Sequence, residues 1–384
     1  MFFKKLHLLN YACHADTTLE CLTPVTVLVG PNGGGKSVLF EAIRTFSRIL
    51  TGPVGQAFGP PPFSFEDKVF RGASQREMAF EAELVEAQFP AVPIQYSIRL
   101  GYTGAENVGS PPSILDEKVR LGDQLVFDRS SRSLDVKGLV WNDIVADASL
   151  LAMIRNLPKN KFKGPKALGS LASEIGSVVN YRLEPRQLSR ASQEPDLSSV
   201  VRMGYEGENL PACLYWLSEN EPNTLKKIIK DLQRVIPQLH GITFNTVRVD
   251  RIGFSLEFDD ARHRVLAPNV SSGTLMALGL VTLLNSPTQP HIACIEEPET
   301  GLTPDAVRLF FELLCDVAKQ KGAKRTSQFL FSSHSPFVLV DAWNSLTSDR
   351  AYIKRLHLSN GHTVIDDVQS IIERGDSGAV LQHG

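Results

Sequence analysis

Gly30-Pro31-Asn32-Gly33-Gly34-Gly35-Lys36-Ser37 follows the apolar run Val25 to Val29 and precedes a helix-forming run from Val38 to Ile49. The pattern is G-x-x-x-x-G-K-S, and its place between an expected strand and an expected helix is the context that makes it a phosphate site. Glycines let the backbone N–H groups turn inward around the α- and β-phosphates of a nucleotide, where any Cβ would block the approach. Lys36 then reaches the β- and γ-phosphates, and the Ser37 hydroxyl takes one position on Mg²⁺. Gly30, Asn32, Gly33, Gly34, Gly35, Lys36 and Ser37 thus form the expected nucleotide cradle. The plainer alternative is a Gly-rich turn that happens to end in Lys-Ser.

Three stretches in the last third of the chain supply what such a cradle lacks. His291-Ile-Ala-Cys-Ile-Glu296-Glu297-Pro-Glu299 reads as a short apolar strand that ends in adjacent carboxylates. Glu296 would hold Mg²⁺ through water, and Glu297 would orient and deprotonate the water that attacks the γ-phosphate. Phe329-Leu-Phe-Ser332-Ser333-His334-Ser-Pro336 reads as a second apolar strand, with His334 placed to hydrogen-bond the γ-phosphate. Val270-Ser271-Ser272-Gly273-Thr274 precedes the apolar run Leu275 to Leu284, so its small residues would open a helix whose free N–H groups attract an anion. Taken singly, each has an ordinary reading: an acidic turn, a surface histidine, a serine helix cap.

Bulk composition excludes more than it names. A chain of 384 residues buries a full core without disulfide or metal staples, and its formal net charge of −2 gives no global pull toward nucleic acid or membrane. The five cysteines (Cys13, Cys21, Cys213, Cys294, Cys315) are odd in number, scattered and without C-x-x-C spacing, which argues against a disulfide frame or a zinc site. No run approaches the ~18 apolar residues of a membrane span. A cytoplasmic protein with no membrane partner is expected.

Along the chain, residues 3–29 read as strands and the first helix runs from the phosphate loop to about Leu50. The Gly- and Pro-rich residues 51–62 form a loop. Period-two alternation from Met78 to Val136 indicates an antiparallel meander. Residues 139–236 turn toward period 3.6, most clearly at Asn223 to Ile236, where Leu225, Ile228, Ile229, Leu232, Val235 and Ile236 share one face. Strands return at Ile242–Val249 and Ile252–Phe258. No heptad run is sustained as a long coiled coil requires.

Together and in this order, these stretches resemble the ABC-type ATPases, more narrowly the soluble RecF/SMC-like and AAA-type members. In that resemblance Gly30–Ser37 looks like Walker A, Val270–Thr274 like the signature motif, Ile292–Pro298 like Walker B and His334 like the switch histidine. Gly301-Leu302-Thr303-Pro304-Asp305 stands where the D-loop falls. Two departures are visible. Glu296 occupies a position where Asp is more usual, and the signature reads Ser-Ser-Gly-Thr. Either Gln75 or Gln187 would serve as the Q-loop glutamine. The implied fold is α/β, an ABC-type P-loop nucleotide-binding domain with a mixed sheet, an antiparallel β-meander lobe and an α-helical insert. Its expected layout is an N-terminal ATPase lobe (residues 1–138), the insert (139–240) and a C-terminal ATPase lobe (241–384).

The resemblance implies an ATPase, with ATP and Mg²⁺ bound, that closes head-to-tail as a homodimer and in some cases assembles further. Lys36, Ser37, Glu296, Glu297 and His334 of one copy would be completed by Ser271, Ser272 and Gly273 of a second, with Glu297, His334 and Lys36 as the catalytic set. Tyr181-Arg-Leu-Glu-Pro and Gly207-Glu-Asn-Leu210 look similar to stand-alone bacterial ATPases, many tied to DNA metabolism and anti-phage defence beside a separate nuclease or toxin. Possible DNA binding has one local feature to rest on. Arg155 and Lys159-Asn-Lys161-Phe162-Lys163-Gly-Pro-Lys166 could neutralise phosphates and stack a base, or be an ordinary solvated loop. Competing readings are the ATPase subunit of a transporter and an ATP-dependent toxin scaffold without DNA binding.

Overall fold

The run Val25–Val29 is a strand buried at every position, as expected of a chain segment covered on both faces. It belongs to a computed structural model that describes residues 2–20, 24–59, 64–85, 92–102, 111–136, 139–140, 144–158, 161–259, 263–287, 289–319, 327–335 and 351–368. The chain divides into two units, the first drawn from Met1–Val178, Ala323–Gln328 and Tyr352–Gly384, the second from Val179–Gly322 and Phe329–Ala351.

The first unit begins with β1 (Phe2–Tyr11), β2 (His14–Glu20), β3 (Val25–Val29), α1 (Lys36–Ile49) and α2 (Phe65–Lys68). It continues with β4 (Met78–Val85), β5 (Ile94–Gly101), β6 (Ser113–Leu121), β7 (Gln124–Asp128), β8 (Ser133–Leu134), α3 (Leu150–Asn156) and α4 (Lys166–Glu174). Seven strands form an antiparallel sheet in the order β2-β1-β4-β5-β6-β7-β8, so the expected meander is present and the N-terminal hairpin extends it. Alternation explains the inward faces: Met78, Phe80, Ala82 and Leu84 on β4, and Ile94, Tyr96, Ile98 and Leu100 on β5, are buried. Helix α1 covers this face. Its Phe46 stacks on Phe80 with ring centroids 5.3 Å apart and meets Phe3 and Tyr96 at 6.2 Å each.

One charged residue interrupts that core. Glu117 on β6 is fully buried and holds Arg129 at 2.7 Å, while Tyr96 Oη and the Leu150 N–H both donate to its Oε1. Burial pushes the Glu117 carboxyl up, against the pull of the Arg129 guanidinium. The cluster pins the start of α3, because Arg129 also donates to the Ala148 carbonyl at 2.7 Å.

The second unit runs through β9 (Val178–Tyr181), α5 (Pro185–Leu188), β10 (Ser192–Gln193), α6 (Leu210–Asn220), α7 (Pro222–Leu232), β11 (Leu239–Arg248), β12 (Arg251–Phe258) and β13 (His263–Leu266). Then come α8 (Ser272–Asn285), β14 (Ile292–Glu296), α9 (Pro304–Lys319) and β15 (Gln328–Ser333). Residues 139–236, expected to be helical, thus also carry β9 and β10. Val178, Val179 and Tyr181 are the β-branched and aromatic types that favour a strand. The expected helix Asn223–Ile236 stops at Leu232, since Pro237 disfavours helical backbone just before it. Strands β10, β12 and β11 form a small antiparallel sheet with β13 on β12. Helix α8 is buried from Leu275 to Leu284 and packs against α5, α7 and α9. Strands β15, β14 and β9 lie side by side.

The chain returns to the first unit with β16 (Ala351–Ser359) and β17 (His362–Asp367), an antiparallel pair beside β3. The architecture is mixed α/β, with one mixed and two antiparallel sheets among the described residues. No helix among the described residues is long and apolar enough to cross a membrane. Cys13, Cys213 and Cys294 carry free thiols, while Cys21 and the Cys315 side chain lie outside the described residues.

Candidate functional site

In the first unit β3 delivers the chain into the loop Gly30–Gly35, and three glycines there have left-handed or related φ values: Gly30 at 147°, Gly33 at 79° and Gly35 at 96°. At Gly30 a Cβ would fall 2.0 Å from the Leu356 carbonyl oxygen of β16, so only glycine lets the loop rest on that strand. Lys36 is 6 % exposed and its Nζ donates to the carbonyls of Gly30 at 2.7 Å and Pro31 at 3.0 Å. The ammonium is therefore held inside the curve of its own loop. Asn32, Gly33 and Ser37 are exposed, the serine in the first turn of α1.

Beneath the loop lies a residue that the sequence pattern did not single out. His14 is fully buried and its Nε2–H donates to the Gly35 carbonyl at 3.1 Å, which leaves Nδ1 without a partner. Burial pushes its pKa down to about 4, so the ring is neutral at pH 7. No motif spacing links a histidine 21 positions upstream to a glycine carbonyl.

In the second unit β14 ends at Glu296, itself 8 % exposed, whose Oε1 accepts from Tyr205 Oη at 3.3 Å. Tyr205 lies 91 residues earlier and carries no sequence signal of this role. Glu297 follows at φ 45°, and its N–H donates to the Ser332 carbonyl of β15 at 3.0 Å. That bond fixes the turn and directs the side chain to His334, with Glu297 Oε1 and His334 Nδ1 3.5 Å apart and both side chains partly exposed. The acidic pair and the histidine, read separately from sequence, are thus one cluster at the ends of two buried strands. Ser333 Oγ donates to Glu299 Oε1 at 2.6 Å, a further link that the spacing did not reveal.

Ser271 caps helix α8, its Oγ accepting from the Thr274 N–H at 3.2 Å. Ser271 and Ser272 are exposed. Gly273 is required here, because a Cβ would stand 2.6 Å from the Gly301 carbonyl oxygen. Of the two glutamines considered, Gln75 is exposed before β4 and Gln187 on α5 donates to Glu206 at 3.1 Å. Ser37 offers a hydroxyl in the first unit and Glu296 a carboxylate in the second, each by itself an oxygen donor of the kind that Mg²⁺ prefers.

The basic stretch differs from its sequence reading in one respect. Lys161, Lys163 and Lys166 are exposed, whereas Phe162 turns back onto Gly164 and Gly169, where added Cβ atoms would meet its ring at 2.7 Å and 2.9 Å. Its ring is taken up by that packing rather than offered to a base. Lys159 lies outside the described residues.

A family model described as "AAA domain, putative AbiEii toxin, Type IV TA system" matches residues 25–341. No curated protein matches the chain. Among solved structures, an SmcHead bound to the C-winged helix domain of ScpA is similar over 97 % of this chain and 100 % of its own, at TM-score 0.58 and 11 % identity. An SMC head domain from Thermotoga maritima aligns over 96 % of this chain and 99 % of its own, at TM-score 0.49 and 14 % identity. At such identities the SmcHead likeness shows the fold, an ABC-type P-loop architecture.

Proposed function

The chain belongs to the AAA-domain family of that description, a P-loop ATPase family, and on that premise we propose that it is an ATP-hydrolysing switch that closes head-to-tail on a second copy. The observation that carries this reading is the pairing of Glu297 with His334, 3.5 Å apart at the ends of two buried strands. In this reading the loop Gly30–Gly35 and Lys36 bind the phosphates of ATP. Ser37 and Glu296 would hold Mg²⁺, which when bound neutralises charge on the phosphate oxygens.

Glu297 takes a proton from water as the water oxygen bonds to the γ-phosphorus, and the bond from that phosphorus to the ADP oxygen breaks. His334 hydrogen-bonds a γ-phosphate oxygen, and Ser271, Ser272 and Gly273 of the second copy cover the phosphate from the other side. Loss of the γ-phosphate then removes the contacts that hold the copies together. ATP stabilises the dimer by binding the closed form more tightly than the single copy.

The switch would control a separate effector, a nuclease or toxin, in response to nucleic acid, in defence or repair. The SmcHead it resembles is bound to a domain of ScpA, which supports a protein partner as the output. Exposed Lys161, Lys163 and Lys166 support a phosphate-backbone input. Steady-state ATP hydrolysis with and without linear duplex DNA, across a salt series and with Lys36→Ala as control, tests both halves. Turnover absent from Lys36→Ala, stimulated by DNA and less so as salt rises, is the expected result. Turnover indifferent to DNA contradicts the nucleic-acid input, and equal turnover in Lys36→Ala contradicts the ATPase reading.

A further inference from the structure

We propose that Glu299 is a positioning residue that joins the switch-histidine segment to the start of helix α8, so that one nucleotide site is coupled to the surface that completes the other. This rests on the ATPase reading above. Ser333 is fully buried, and its hydroxyl is used twice: it donates to Glu299 Oε1 at 2.6 Å and accepts from the Ser335 N–H at 3.0 Å. The two bonds bracket His334 and fix the segment on either side of it.

From Glu299 the connection runs onward through the backbone. Its carbonyl accepts from the Leu302 N–H at 3.0 Å and closes the turn in which Gly301 sits at φ 77°. The Gly301 carbonyl in turn lies so close to Gly273 that a Cβ there would be 2.6 Å away. Gly273 is the second residue of α8, beside the capping Ser271. An unbroken series therefore leads from His334 through Ser333, Glu299 and Gly301 to the serines that reach the other copy's nucleotide.

The side-chain chemistry at Glu299 favours a working link over a loop staple. Its second oxygen, Oε2, is buried with no hydrogen-bond partner, and a buried acceptor left unpaired is costly. A small hydroxyl residue would staple the loop without that cost. A carboxylate holds Ser333 strongly at the point where His334 meets the γ-phosphate. Displacement of His334 on γ-phosphate binding or loss is then passed to Gly301 and to the start of α8.

The test compares the unaltered chain with Glu299→Ala, Ser333→Ala, the double variant and Glu299→Gln. Four quantities are read: binding of a non-hydrolysable ATP analogue, kcat, KM, and the Hill coefficient of hydrolysis. The unaltered chain is expected to approach a Hill coefficient of ~2, the number of sites in the dimer. Both alanine variants should bind the analogue normally and keep KM, lose about tenfold in kcat, and fall to a Hill coefficient of ~1. The double variant should match either single one, as members of one link do. Glu299→Gln, whose amide oxygen still accepts from Ser333, should recover most of kcat. Additive losses, a non-cooperative unaltered chain, or Glu299→Ala with normal kcat and cooperativity would each overturn the link while leaving the ATPase reading intact. An unaltered chain without turnover would remove both.

Discussion

Glu297 occupies the left-handed backbone region at φ 45°, a conformation that costs a residue with a β-carbon about 1–2 kcal/mol. Strain of that kind persists only where the surroundings enforce it, here through the bond from its N–H to the Ser332 carbonyl. The return is a carboxylate held against His334. His14 shows a second residue-scale commitment, since burial holds its pKa near 4 in the folded chain against 6.5 for the free side chain. The unfolded chain therefore binds the proton first, and stability is present above pH 6.5 and lost as pH falls toward 4. The shift corresponds to a loss of order 3 kcal/mol across that window. Urea titrations at pH 7 and pH 4.5 should show a smaller difference for His14→Gln than for the unaltered chain, and an equal difference would contradict the assignment. That Lys36 follows a buried strand through a glycine loop, and that Glu297 and His334 directly follow buried strands, was legible in the sequence because apolar runs mark such strands. His14, Tyr205 and Glu299 act through side-chain hydrogen bonds to partners 21, 91 and 34 residues away in sequence, and no period or spacing records such bonds.

Helix α1 carries the phosphate loop at one end and anchors it by its buried face. Phe46 is fully buried, stacked on Phe80 and edge-on to Tyr96. Phe46→Ala should cost about 3–5 kcal/mol through lost transfer energy and the cavity left behind. A urea midpoint unchanged from the unaltered chain would show that α1 is not held by this contact. At the same scale, alternation reveals the strands but not their irregularities. Register shifts interrupt β1 between Phe3 and Lys5, and the β5–β6 pairing between Arg99 and Leu100. Each shift exchanges inner and outer faces. The second brings Glu117 inside opposite Ile98, where strict alternation from Ile114 would have kept it outside. The partners that make this tolerable come from elsewhere in the sheet, Tyr96 from β5 and Arg129 from the turn after β7.

At the scale of the molecule, the phosphate loop falls in one unit and the acidic pair, His334 and the α8 serines fall in the other. The order of these motifs along the chain was readable, because each has its own local residue pattern. The division into units was not readable, since it follows contacts between segments as distant as residues 3 and 328. In the proposed cycle ATP closes two copies and hydrolysis releases them. The most direct test is sedimentation velocity of Glu297→Gln with ATP, beside the unaltered chain and a Glu297→Gln, Ser271→Arg double variant. Stable ATP-dependent dimer in Glu297→Gln, with no phosphate released and no dimer once Ser271 is replaced, is the expected result. A Glu297→Gln chain that hydrolyses ATP at the unaltered rate, or that stays monomeric with ATP bound, would contradict the account.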